Sequence, residues 1–150
     1  MPSTASLITK LKLAYPQFKF EQAADYLWSP SEQTIYYTDS SDGHSYLLHE
    51  LSHGLLGHVD YYYDIELIAM ERAAWDKAIV VAKTYDLTID ESVITSTLDS
   101  YRDWLHNRST CPNCGATGHQ TDKSTYTCLA CTQSWRVNEA RICALRRYKV

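Results

Sequence analysis

Five residues carry most of the chemistry in this chain: His49-Glu50-Leu51-Ser52-His53, an H-E-x-x-H run. Two histidines four apart on a helix share a face, because four residues are a little over one turn. Both imidazoles can then reach one Zn²⁺ ion. Glu50, one step round the helix, can take a proton from a water that the metal has acidified towards neutrality. The chemistry this implies is metal-assisted hydrolysis, with a peptide bond as the expected substrate.

A catalytic zinc site takes three protein ligands and leaves one position open. His58 is the nearest further histidine. The longer H-E-x-x-H-x-x-G-x-x-H pattern needs Gly three and His six residues after the second His. Here Gly57 and His58 come four and five residues after His53, so His58 is not read as a ligand. Residues 64–85 read as the next helix and offer Glu66 and Glu71. Two helices on a short link can pack antiparallel, so a carboxylate from the second could complete a His/His/Glu set. Glu71 is favoured, since Glu66 sits close to the connection, but Glu66 stays open. The alternative for either is a solvated helix face.

A second cluster follows. Cys111-Pro-Asn-Cys114 and Cys128-Leu-Ala-Cys131 are two C-x-x-C knuckles separated by thirteen residues. Four thiolates at this spacing make a closed tetrahedral zinc site, which has no open position and is structural. Thr125 to Thr127 and Trp135 to Val137 favour strands, which suits a zinc ribbon. Two disulfides are the alternative. The first residues contain no long apolar run, so the chain is expected in the cytoplasm, where thiols stay reduced. Cys143 is given no role beyond packing.

These residues need a scaffold. Residues 46–57 read as an amphipathic helix with Leu47, Leu48, Leu51, Leu55 and Leu56 as its apolar part. Asp42-Gly43 marks a turn before it, and Gly57 a stop after it. Residues 4–14 suggest a short helix with Leu7, Ile8, Leu11 and Leu13 inside. Residues 18–20, 24–28 and 34–37 read as extended, with a turn at 29–32. Thr88 to Glu91 caps a helix running to about Leu105, and residues 107–110 read as a linker. A small antiparallel sheet beside the active helix could hold a substrate as an added strand, and Thr34 to Tyr37 is the candidate edge. Tyr61, Tyr62, Tyr63 and His44 are candidate donors to an oxyanion.

The net charge is −4. Residues 1–110 hold 8 Lys and Arg against 16 Asp and Glu, a balance of −8, whereas residues 111–150 hold 6 against 2, a balance of +4. The basic excess lies mostly in Arg136, Arg141, Arg146, Arg147 and Lys149, at the C-terminal end. Arg146, Arg147 and Lys149 are candidate contacts to nucleic-acid phosphates. A solvated tail is the plain alternative.

His49 to His58, preceded by Ile35-Tyr-Tyr37 and followed by Glu71-Arg-Ala-Ala-Trp75, resembles the ImmA/IrrE family of bacterial and phage metallopeptidases. That family has an H-E-[LF]-[AGS]-H helix, often with L-G-H after it, and a Glu ligand in an E-x-x-A-[ND] stretch, where this chain has Trp75. The resemblance covers about residues 30–80. It implies His49, His53 and Glu71 as zinc ligands, Glu50 as base, and a helix-turn-helix repressor as substrate. The ribbon is also similar to that of SprT-like proteases, which act on DNA-bound proteins and use a third His.

The sequence thus predicts an α+β, zincin-like domain over 1–107, a small antiparallel sheet with a helical bundle, and a Cys₄ zinc ribbon over 108–150. One catalytic and one structural Zn²⁺ are expected. The expected activity is that of a zinc endopeptidase acting on a regulatory protein. The competing class is a DNA- or protein-binding regulator with an inactive peptidase fold.

Overall fold

The computed structural model describes residues 3–40 and 43–138, and the backbone of 147–149. In chain order the elements are α1 (Thr4–Ala14), β1 (Lys19–Gln22), β2 (Leu27–Ser29), β3 (Thr34–Tyr37), α2 (His44–Leu55), α3 (Asp64–Thr84), α4 (Glu91–Ser109), β4 (Gly118–Gln120), β5 (Thr125–Cys128), β6 (Ser134–Val137) and β7 (Arg147–Lys149). This is an α+β chain. It divides into two compact units, Met1–Val59 with Met70–Ile94, and Asp60–Ala69 with Thr95–Val150. Among the described residues no helix is long and apolar enough to cross a membrane.

In the first unit, α1 starts at Ser3, whose hydroxyl accepts from the Ser6 N–H and satisfies one orphan donor of the first turn. Leu7, Ile8 and Leu11 are buried. Leu13, expected beside them, is 79% exposed, because two residues beyond Leu11 is about half a turn, on the opposite side of the helix. The three-stranded sheet has the order β1-β3-β2. It is mixed, not antiparallel: β3 runs parallel to β1 and antiparallel to β2. The chain crosses from one side of the future β3 to the other before the β2–β3 hairpin closes. The expected substrate edge at Thr34–Tyr37 is therefore the middle strand, with Thr34 and Ile35 buried, and the free edges belong to β1 and β2.

Helix α2 lies against β2 and β3 through Leu47, Leu48 and Leu51, all fully buried. Leu56, expected on that apolar side, lies past the helix end and is exposed. Gly54 sets the closeness of the packing, since a Cβ there would meet the Phe18 and Trp28 rings at 3.2 Å. Within this unit α3 buries Ala74, Trp75, Ala78, Val81 and Ala82. The turn expected at Asp42-Gly43 lies partly outside the described residues, but the Gly43 carbonyl accepts the Leu47 N–H and opens α2. Asp90 caps α4 as expected, its carboxylate accepting from the Ser92 N–H.

In the second unit, β4-β5-β6-β7 form an antiparallel sheet. Its core is Cys111, Tyr126, Cys128, Trp135 and Val137. Gly118 is required here, because a Cβ would stand 2.4 Å from the Trp135 ring and 2.9 Å from the Thr127 carbonyl. Residues 107–109, expected in a linker, are the last turn of α4, and Thr110 bonds back to the His106 carbonyl. The reason is Arg108. Its side chain is buried, with Nε donating to Asp64 Oδ2 at 2.7 Å, and its carbonyl accepts from Trp135 Nε1. Tyr126 Oη also donates to Asp64, at 2.6 Å, so the buried carboxylate has partners on two sides.

Candidate metal centre

Helix α2 projects His49 and His53 from one face, one turn apart, and α3 brings Glu71 to them. His49 Nε2 lies 2.8 Å from Glu71 Oε2, His53 Nε2 lies 3.2 Å from Glu71 Oε1, and the two Nε2 atoms are 3.1 Å apart. All three side chains are buried. A tetrahedral zinc with bonds of about 2.0–2.1 Å sets its ligand atoms about 3.3 Å apart, so these donors fit such an ion after little movement. Two imidazole nitrogens and a carboxylate converging away from water are a cation's donor set. Glu66, the other candidate, is exposed, and its carboxylate accepts from the Tyr62 N–H at the start of α3. The group able to hold a metal is His49, His53 and Glu71.

Burial pushes Glu71 up, but the hydrogen bonds and charge of His49 and His53 outweigh it and hold the carboxyl at about 2. Glu50 is different. Burial raises its pKa, against the lowering effect of the two histidines. Its Oε2 accepts the backbone N–H of Trp28 in edge strand β2 at 2.8 Å. Glu50 is thus oriented by the sheet while its proton affinity is raised.

The helix end brings in a further residue. Gly57 adopts φ +68°, its N–H bonds to the Gly54 carbonyl, and the His58 N–H bonds to the His53 carbonyl. This is a Schellman motif, which lays the residue after the glycine against the third from last of the helix. Those residues are His58 and His53, and their Nδ1 atoms lie 2.8 Å apart. His58 touches the outer nitrogen of His53 and is not in the ligand group, as its offset predicts. Burial and the neighbouring His53 lower its pKa. Trp28 Nε1 donates to the His58 carbonyl at 2.8 Å. Trp75 stacks on His49 with ring centroids 4.1 Å apart and planes at 24°. His49 Nδ1 and Trp75 Nε1 are both buried without a hydrogen-bond partner.

Trp28 and His58 were not assigned to the site from sequence. The signal for His58 was present: a glycine that ends a helix in the left-handed region predicts where the next side chain goes. Trp28 had no local signal, since its partner is 22 residues away. Of the expected oxyanion donors, His44 Nε2 pairs with the Thr88 carbonyl at 3.0 Å. Tyr62 and Tyr63 are exposed and pack on each other.

The four ribbon cysteines also converge, as free thiols. Cys111 and Cys131 sulfurs are 3.7 Å apart, and those of Cys114 and Cys128 are 3.5 Å apart. Zinc–sulfur bonds of about 2.3 Å would set them about 3.8 Å apart. A disulfide needs about 2.0 Å. The two knuckles repeat one another. The first cysteine of each donates its N–H to the carbonyl five residues on (Cys111 to Ala116, Cys128 to Gln133), and the residue after the second has positive φ (Gly115, Thr132). N–H groups two residues beyond the first cysteine, on Asn113 and Ala130, point at its sulfur. The Gln133 N–H and the Asn113 side chain hold Cys131 down to about 6. Cys114 is pushed up to about 11, the Ala116 N–H opposing and the neighbouring thiols raising it. Four thiols this close cannot all ionise without a cation between them.

The backbone of Arg147 and Lys149 lies in β7, opposite Val137 and Trp135, while Arg141, Cys143 and Arg146 lie outside the described residues. In comparisons with known proteins, no family model matches this chain, and no curated protein and no solved structure does either.

Proposed function

We propose that this chain is a zinc-dependent endopeptidase of zincin type, with His49, His53 and Glu71 as ligands and Glu50 as base. The observation that carries the reading is the convergence of those three donors beside a carboxylate whose proton affinity is raised and whose position is set by a neighbouring strand. Zinc bound there would polarise the scissile carbonyl and acidify the attacking water. Glu50 accepts the proton of that water and later passes it to the leaving amine, so one carboxyl serves both steps. Trp28 keeps Glu50 turned to the centre. An extended substrate would add to the free edge of β2, the strand that carries Trp28. A cleft of about 290 Å³, lined by Trp28, Pro30, Gly54, Gly57, His58 and Val59, would take an apolar substrate side chain.

The substrate we assign is a regulatory protein of the helix-turn-helix repressor type in a bacterial or phage setting, on the resemblance of residues 30–80. The Cys₄ ribbon would hold a structural zinc and present the substrate or its DNA, with Arg146, Arg147 and Lys149 as phosphate contacts. A carboxylate as third donor argues against the SprT-like reading, which needs a histidine. An inactive regulator has no use for a base set as Glu50 is.

Incubation of the zinc-loaded chain with helix-turn-helix repressors and with an unfolded protein, read by mass spectrometry for new termini, tests the activity. Cleavage that falls by about 10²–10⁴-fold in Glu50→Gln, with zinc content unchanged, supports it. Cleavage equal in parent and Glu50→Gln would remove Glu50 as base. No cleavage of any substrate by a fully loaded chain would favour the regulator.

A further inference from the structure

We propose that His58 is a positioning residue for the metal centre: its Nδ1 accepts the Nδ1–H of His53 and so leaves the His53 Nε2 lone pair aimed at the ligand group. The inference rests on the reading that His49, His53 and Glu71 hold a metal, and it names a residue outside that set.

The argument begins with the helix end. Gly57 in the left-handed region and the His58 N–H to His53 carbonyl bond fix the backbone of His58 over the last turn of α2. In this motif the two side chains usually make an apolar contact. Here both are imidazoles, and they meet through Nδ1 atoms at 2.8 Å. Two neutral nitrogens at that distance share one proton. If His58 supplies it, His53 carries its own proton on Nε2 and has no lone pair for a metal. If His53 supplies it, Nε2 is free, and it already stands 3.1 Å from His49 Nε2 and 3.2 Å from Glu71 Oε1. The metal-binding form is therefore the one in which His58 accepts.

His58 is itself held. Its carbonyl accepts the indole N–H of Trp28, so the turn is fixed from the sheet as well as from the helix. His53 is buried, and without His58 its Nδ1–H would lose that partner. His49 shows the contrast: its Nδ1 has no partner, and its ring is placed by the face of Trp75. The centre thus orients one imidazole by a hydrogen bond and the other by stacking.

The test is a Co²⁺ titration of the metal-free full-length chain. Sulfur-to-cobalt charge-transfer bands report the cysteine cluster, and the weaker ligand-field bands of a nitrogen and oxygen site report the histidine centre. Two variants are compared with the parent. His58→Phe keeps a ring and removes the acceptor. His58→Asn puts an acceptor oxygen near the place of Nδ1. We expect His58→Phe to weaken Co²⁺ binding at the histidine centre by about 10–100-fold, with the cysteine site unchanged, and His58→Asn to restore most of it. Parent-like binding by His58→Phe, or equal weakness in both variants, overturns the inference. A nitrogen-site signal absent from the parent, or unchanged in His53→Ala, overturns the metal centre itself and the inference with it. Nitrogen-15 NMR of the zinc-loaded parent needs no variant: His58 protonated on Nε2 supports the proposal, and His58 protonated on Nδ1 overturns it.

Discussion

His49, His53 and Glu71 come from two helices whose buried leucines, alanines and Trp75 supply a core of their own. The four cysteines sit on two turns of a small sheet whose buried cluster contains Cys111 and Cys128 themselves. In the first region the scaffold makes the site. In the second the site is part of the scaffold, because a sheet of three- and four-residue strands has little else to bury. A metal would be a guest in one place and a structural member in the other.

The comparison is broken most directly at the cysteines. Replacing Cys128 and Cys131 together with Ala should unfold the second sheet, since structural zinc in small modules is worth about 10 kcal/mol or more of folding free energy. Amide exchange should show protection lost at Tyr126 and Trp135 and kept at Leu48 and Leu51. Loss at both sets would mean that the regions are not independent in stability.

Next in size is Glu71→Ala. It should weaken metal binding at the histidine centre by more than the roughly 10–100-fold that outer partners cost, while far-ultraviolet circular dichroism stays unchanged. A large loss of helix would show that the first centre, too, is needed for folding.

Gly118→Ala is a smaller probe of the second region alone. Its Cβ would overlap the Trp135 ring, and overpacking of this kind costs about 1–3 kcal/mol. Thermal unfolding of the cysteine sheet should shift down while metal affinity at His53 stays the same. An unchanged midpoint would mean that Trp135 has room to move. The smallest effect has the opposite sign. Thr132, a β-branched residue at φ +65°, occupies the place that Gly115 holds in the other knuckle. Thr132→Gly should stabilise the second region by up to about 1 kcal/mol. Destabilisation would point to the Thr132 hydroxyl, which donates to the Cys131 carbonyl.

What the sequence revealed follows the same division. The cysteine cluster was readable because its members pair locally, three positions apart within each knuckle. His49 and His53 were readable for the same reason, one helical turn apart. Glu71 needed tertiary packing, so spacing alone left Glu66 open. The mixed sheet was misread because strand direction depends on a crossing that no residue marks. Arg108 lay in an expected linker because a buried pair with Asp64, 44 residues earlier, leaves no local pattern. His58 was dismissed on its offset as a ligand, which was sound, but the turn at Gly57 had already determined its neighbour.

The bond from Trp28 to Glu50 spans 22 residues backwards, and that from His49 to Glu71 spans 22 forwards. Glu50 and the His49, His53 and Glu71 group are therefore tied into place only across long loops, which close late relative to local helix formation. A chain emerging from the ribosome would show its H-E-x-x-H helix well before Glu71 had left the exit tunnel. On the proposed reading, hydrolytic competence waits for Glu71, and the cysteine cluster follows later still. On that reading, a chain that ends short of Glu71 would carry both histidines but lack the third ligand, and would be inert towards itself and its neighbours.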